Sequence, residues 1–262
     1  MRKKQVAMFV CAAAFALALA GCAGDESPTA GSDDAEQPAA EAMQQQEVDE
    51  STKQDKDADA LAQGMTCKYI SSYFATFAEA LEQANQNGGG TVTLLADTPL
   101  SADGAVPKVG FRTTITVKSA GDEAFRIMRT EADTGPMLQI TDGFVTLSNV
   151  VFDGSGVAAE GPIALVSDLG RLTLDAGAAL VGNESASGAS AVQVVGSDAY
   201  LTLESGCEVS GNIAGDGASA AVVSEGGNIV NNGATFSSNT GGDNANYLET
   251  AGGTFEGDEI IA

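Results

Sequence analysis

The chain has 262 residues, with 36 Asp and Glu against 12 Lys and Arg, no His, and a formal charge of −24. So acidic a surface repels phosphate backbones, which excludes nucleic acid as a partner. The lack of His removes the commonest general base, the usual nucleophilic triads and His-dependent metal sites, so no cofactor and no metal are expected.

At the N-terminus, Arg2, Lys3 and Lys4 precede an apolar run from Val6 to Ala20. The run is too short and wrongly flanked for a stop-transfer helix, and it reads as a secretory signal. It closes on Leu19-Ala20-Gly21-Cys22, which resembles the lipobox of bacterial lipoproteins. The resemblance implies cleavage after residue 21 and diacylglycerol on the thiol of Cys22. Two acyl chains anchor stably where one is marginal. The chain is therefore expected on the bacterial cell membrane, lipid-anchored and facing the extracytoplasmic side. Loss of residues 1–21 removes three basic groups and takes the formal charge from −24 to −27. Residues 22–64 are low in complexity, rich in Ala, Gly, Ser, Gln, Asp and Glu, with Pro28 and Pro38. Such a segment cannot bury enough apolar area to offset its ordering entropy, and it is expected to be a disordered acidic linker.

Residues 65–262 are expected to form one folded domain. Thr76-Phe77-Ala78-Glu79 fits a capping box, and Phe77, Ala80, Leu81 and Ala84 then fall on one helical face. A short amphipathic helix here can cover the open end of a stack of strands. Strands are expected at Thr91–Leu95, Thr113–Lys118 and Phe125–Arg129. From Met137 onward three apolar pieces recur, as in Ile163-Ala164-Leu165-Val166, Leu172-Thr173-Leu174 and Ala179-Leu180-Val181. Leu174, Gly177, Leu180 and Asn183 return as Leu203, Gly206, Val209 and Asn212, and again as Val230, Gly233, Phe236 and Asn239. Apolar positions that survive at this period while loops vary mark a stacked solenoid, here with three parallel sheets around one core. The recurring Asn either forms an amide ladder or tolerates left-handed turn geometry. Cys11 leaves with the signal. Cys67 and Cys207 are expected as free, half-buried thiols without a His partner, so a catalytic Cys is not expected.

Phe77-Ala78-Glu79-Ala80-Leu81, Gly90-Thr91-Val92-Thr93-Leu94, Leu147-Ser148-Asn149-Val150-Val151-Phe152-Asp153-Gly154 and the Val181-Gly182-Asn183 and Val209-Ser210-Gly211-Asn212 corners together resemble right-handed parallel β-helix proteins. The resemblance is to the pectate-lyase-like group, especially bacterial adhesin-like surface modules, and spans roughly Tyr69 to Asn239. The fold it implies is all-β, a right-handed parallel β-helix solenoid with a short N-terminal capping helix. After Asn239 the pattern decays, which leaves a dimer contact, another partner or the tail itself to cover the C-terminal edge.

The favoured function is a non-catalytic display module for adhesion or for binding a glycan or protein. Loops at Glu184–Ala189, Ile213–Ala218 and Thr240–Asn244 offer one stacked face, and Tyr200 is either an exposed sugar platform or a core ring. The alternative is a polysaccharide lyase or glycoside hydrolase. β-Helix lyases use an Arg or Lys base beside calcium-holding carboxylates. That reading makes Arg171 the base, with Asp153, Asp168 and Asp175 as metal or substrate ligands. Against it, Arg171 also reads as a surface strand-start residue, and no further Arg or Lys follows it. For hydrolysis, nothing in the spacing singles out a pair among Asp153, Asp168, Asp175 and Glu204. A structural or assembly unit, joined through the C-terminal edge, is the third reading.

Overall fold

The aliphatic positions that recur along the chain lie on neighbouring strands of parallel sheets. The computed structural model describes residues 52–155, 157–186, 188–215 and 220–260, all inside the unit Asp49–Ala262. The signal segment and Cys22 lie outside the described residues. Helix α1 covers residues 52–62. A hairpin of β1 (Cys67–Tyr69) and β2 (Ser72–Phe74) follows, then helix α2 (Phe77–Gln86). The coils begin with β3 (Gly89–Leu94), β4 (Thr98–Pro99) and β5 (Lys108–Val109), and continue with β6 (Thr114–Ser119), β7 (Phe125–Met128) and β8 (Leu138–Ile140). The next three coils carry four strands each. They are β9 (Phe144–Ser148), β10 (Val150–Asp153), β11 (Ala158–Ala159) and β12 (Ala164–Ser167); β13 (Arg171–Leu174), β14 (Ala179–Val181), β15 (Glu184–Ser185) and β16 (Val192–Val195); and β17 (Tyr200–Leu203), β18 (Glu208–Ser210), β19 (Ile213–Ala214) and β20 (Val222–Glu225). The last strands are β21 (Asn228–Asn231), β22 (Thr235–Ser237), β23 (Tyr247–Glu249) and β24 (Thr254–Gly257).

Like strands stack with like, giving a parallel β-solenoid of about six turns. Sheet A runs β2-β1-β3-β6-β9-β13-β17-β21-β24, with the hairpin antiparallel at its head. Sheet B runs from β4 to β22 and sheet C from β5 to β23, six strands each. A fourth, three-stranded sheet D (β11-β15-β19) sits at the corner after the recurring Asn, where the sequence reading had loops only.

In-register pairing turns alternate side chains into columns. On sheet A, Ile115, Val145, Leu172, Leu201 and Ile229 form one buried column. Val92, Val117, Leu147, Leu174 and Leu203 form another. Each side chain so enclosed contributes roughly 1.5–3 kcal/mol. Beneath Leu203 the expected Val230 is displaced by one place. Asn231 pairs with Leu203, and Val230 pairs with Thr202 on the outer face. The next turn is correspondingly shorter, so Phe236 again lies under Val209. Asn231 remains buried because its Nδ2 donates to the Asp258 carbonyl at 2.8 Å and its Oδ1 accepts from Ala234 N–H at 3.0 Å.

The Asn column is a ladder. The side-chain oxygen of Asn212 accepts the backbone N–H of Asn183 at 3.1 Å, and that of Asn239 accepts the N–H of Asn212 at 3.0 Å. The amide nitrogens donate to backbone carbonyls, Asn183 to Ser190 and Asn212 to Leu180. The ladder thus satisfies backbone groups that the tight corner leaves buried. Gly154 caps the column, because a Cβ there would lie 2.5 Å from the Asn183 side-chain oxygen.

Helix α2 covers the first coil as its periodicity requires. Thr76 and Glu79 bond reciprocally as a capping box. Phe77, Ala80, Leu81 and Ala84 are buried, and the Phe77 ring meets Phe152 edge-on at 5.5 Å. Two corrections concern the ends. Residues 52–62 are helical, although they fall within the stretch expected to be disordered. Good helix formers (Ala, Lys, Gln, Leu) dominate that stretch, and two contacts hold it, burial of Ala60 and the pairing of Asp57 with Lys68. At the other end the stacking does not decay after Asn239. Strands β23 and β24 extend sheets C and A. Rings of Tyr247 and Phe255 pack 5.1 Å apart on the core, and Ile260 is buried in it.

Asn212→Ala is expected to lower the unfolding free energy by about 2–4 kcal/mol, because it orphans the Asn183 N–H and leaves a void. Asn239→Ala, at a half-buried rung, should lower it less. Denaturant titration of the three proteins checks the order.

Candidate functional site

Side chains that alternate with the buried columns of sheet A face outward. Register places Thr91, Thr116, Thr146, Thr173 and Thr202 in one row, followed by Val230 and Glu256. The β-branched Thr suits a strand, and each step of about 4.8 Å presents one hydroxyl. A parallel row holds Thr114, Phe144, Arg171, Tyr200 and Asn228. In it the Arg171 guanidinium lies between two rings, 4.3 Å from the Tyr200 centroid and 5.7 Å from that of Phe144. Such stacking is worth roughly 0.5–1 kcal/mol per ring at exposed sites, and it holds a long side chain in one place. Phe144 is 43 % exposed. Tyr200 is thus an outward ring rather than a core ring.

The four residues of the lyase reading do not come together. Arg171 opens β13 on sheet A, while Asp153 ends β10 on sheet B. Asp153 is paired with Arg126 at 2.6 Å and also accepts from the Ser155 hydroxyl. Burial acts to raise its pKa, but the bonds from Ser155 and Arg126 outweigh burial and hold it below the ordinary carboxylate value. Asp168 occupies the turn before β13 with φ of 53°, and Asp175 the turn after it, bonded to Ala176 N–H at 2.8 Å. Among the described residues no three His, Cys, Asp or Glu side chains are grouped to hold a metal ion. Neither of the two ion pairs between described residues includes Arg171.

At the N-terminal end of the same face, α1 lies against sheet A. The Asp57 carboxylate accepts from Lys68 Nζ at 2.6 Å and from the Tyr73 hydroxyl at 2.7 Å. Burial works against the charged Asp57, but those bonds and the charges of Lys68 and Lys53 prevail and lower its pKa. Burial likewise opposes the Lys68 ammonium, but the hydrogen bond and charge of Asp57 raise its pKa. The contribution of Asp57 to docking is therefore present above the ordinary 3.8 and lost as pH falls through its folded value. Between α1 and the sheet opens a cleft of about 550 Å³, walled by Lys53, Lys68 and Lys118, with Thr91 and Thr93 on the sheet side.

Several of these features were within reach of the sequence. The Thr row is visible in Val145-Thr146-Leu147, Leu172-Thr173-Leu174 and Leu201-Thr202-Leu203, whose central residue must point out once its neighbours point in. Phe144, Arg171 and Tyr200 each precede such a triplet. The lysines carry no local signal, because they lie far apart in the chain: Lys68 and Lys118 meet through pairing with Thr93, and Lys53 joins them through α1. Of the loops expected as a binding face, Glu184–Ser185 and Ile213–Ala214 are strands of sheet D; residues 187 and 216–219 lie outside the described set.

Cys67 and Cys207 are free, and both are fully rather than half buried. Desolvation pushes each thiol from 9.0 up to about 11. No helix of the described residues is long and apolar enough to cross a membrane. No family model matches the chain, and neither the curated proteins nor the solved structures hold a match to it.

The thiols give a direct prediction. Alkylating reagent at neutral pH should leave Cys67 and Cys207 unmodified in the native chain and modify both in denaturant, as read by peptide mass spectrometry. Stability arising from the two thiols is fully present below 9.0 and is lost as pH rises toward about 11.

Proposed function

We propose that this chain is a non-catalytic surface module that binds glycan chains along the outer face of sheet A. The observation that carries the reading is the Phe144–Arg171–Tyr200 stack beside the row of Thr hydroxyls. Sugar rings have apolar C–H faces that lie on aromatic rings, and hydroxyl edges that bond to guanidinium and hydroxyl groups. The hydroxyls repeat at the strand spacing and the two rings lie two strands apart, so an extended ligand meets a line of hydroxyls beside one aromatic and cationic cluster. The same stack weakens the lyase alternative. It engages Arg171 as a fixed cation between rings, while Asp153 is held on another sheet by Arg126.

Arg171→Ala and Tyr200→Ala should each weaken binding to array glycans about tenfold, the loss of one good contact. Since both residues face solvent, the melting temperature should move by no more than about 2–4 °C. An array on which no glycan is retained, or variants that bind as the parent does, would count against the reading.

The membrane address rests on Leu19-Ala20-Gly21-Cys22 and the charged, apolar signal before it. In this reading diacylglycerol on Cys22 tethers the chain, and the acidic residues after it carry the solenoid away from the lipid surface. Cys22→Ser is expected to shift the protein from the detergent phase to the medium or to leave uncleaved precursor. Unchanged detergent partitioning would contradict the anchor.

A further inference from the structure

We propose that the cleft between α1 and sheet A is a binding site for a phosphate group. The charge distribution singles it out. Beyond the N-terminal Arg2, Lys3 and Lys4 the chain has nine basic residues, and three of them, Lys53, Lys68 and Lys118, wall this one cleft. Lys56 lies beside them on the flank that Lys53 and Lys68 share with Tyr73. Asp57 is the single carboxylate in the lining, and it is occupied by Lys68 and Tyr73. Lys53 and Lys118 make no ion pair among the described residues, and both are exposed. The lining therefore carries a net charge of about +2 in a chain whose total is −24.

That charge matches a phosphate monoester, which carries about −1.5 to −2 at neutral pH, better than it matches a single carboxylate. Lysine suits this task as a compact charge on a flexible stem that reaches a tetrahedral group from several sides. Thr91 and Thr93 line the sheet side and bring hydroxyls that can donate to phosphate oxygens. The Asp57–Lys68 pair fixes α1 over the sheet, so Lys53, one turn earlier on the helix, is carried to the cleft that Lys118 also lines. The source of the phosphate is either free anion or a phosphorylated sugar. Thr91 begins the Thr row that runs on to Thr202, so a sugar bearing the phosphate would lie on the face already described.

The test is calorimetric titration of the full chain with inorganic phosphate, glucose 6-phosphate and glucuronate at low ionic strength. Both phosphates should bind, and glucuronate should bind at least about tenfold more weakly. Tighter binding of glucose 6-phosphate would assign the site to a phosphorylated sugar, and binding of inorganic phosphate alone would assign it to the free anion. Lys118→Ala and Lys53→Ala should each weaken phosphate binding about tenfold, and Lys118→Glu should abolish it. Raising the salt to about 0.15 M should weaken it further through screening. Arg171→Ala should leave phosphate binding unchanged, which separates this site from the glycan reading. The proposal is overturned if glucuronate binds as tightly as phosphate or if Lys118→Ala has no effect. It is also overturned if the chain binds phosphatidylcholine–phosphatidylglycerol vesicles but neither phosphate.

Discussion

Each strand of the coils is held by hydrogen bonds to the equivalent strand one coil away, and that pairing fixes the core and the outer rows. A parallel ladder tolerates no drift in register, since a slip of one residue would turn each buried side chain outward. Variation is therefore confined to the turns. The interval from Leu203 to its partner Asn231 differs by one residue from that between Val209 and Phe236, and the intervening turn absorbs the difference. The ladder also leaves backbone groups buried at the sharp corner after sheet B. There Asn183 and Asn212 have no exposure to water, and the side-chain oxygens of Asn212 and Asn239 serve as surrogate backbone, each supplying an acceptor to the coil before it. At the head of the solenoid the hairpin pairs the free edge of β3, and α2 covers the core beside it.

The same constraint builds the outer surface. When Leu172 and Leu174 are fixed inward, Thr173 must point out, and pairing places it above Thr202 and below Thr146. The alignment of outward positions into rows is thus a consequence of core packing, while the residue placed at each position is not. The departures from uniformity are what the proposed glycan and phosphate sites rest on. Phe144, Arg171 and Tyr200 interrupt an otherwise polar row with two rings and a planar cation. Lysines gather at the end of that face in a protein that is elsewhere strongly acidic. In the proposed reading this surface engages ligands by several weak contacts, for which the solenoid supplies the spacing.

The fold was largely legible because its determinants are periodic. The capping box at Thr76 and Glu79, the apolar triplets and the recurring Asn all rest on local spacing that the physics of helices and ladders interprets directly. Val230 was misplaced by one residue because an aliphatic side chain in line with Leu203 outweighed a neighbouring Asn that buries itself by bonding to Asp258. Strands β23 and β24 were hidden by the Gly- and Asn-rich stretch between Asn239 and Asn246, and by partly buried aromatics where earlier coils use aliphatics. Helix α1 was missed because its docking depends on Asp57 meeting Lys68 and Tyr73, contacts that exist only after folding. The cleft is illegible for the same reason. The Thr row, by contrast, was present in plain sequence and needed only the parity of the neighbouring Leu residues to be followed outward.

Spin labels at Thr91→Cys and Thr202→Cys, with Cys67 and Cys207 buried and inert and with Cys11 and Cys22 replaced by Ser, probe the stacking most directly. The two positions sit four strands apart in one outer row, and double electron–electron resonance should give a single narrow distance near 19 Å between backbones, widened only by the label stems. A broad distribution, or a distance well beyond that span, would mean that the coils do not stack in the register described and would contradict the account.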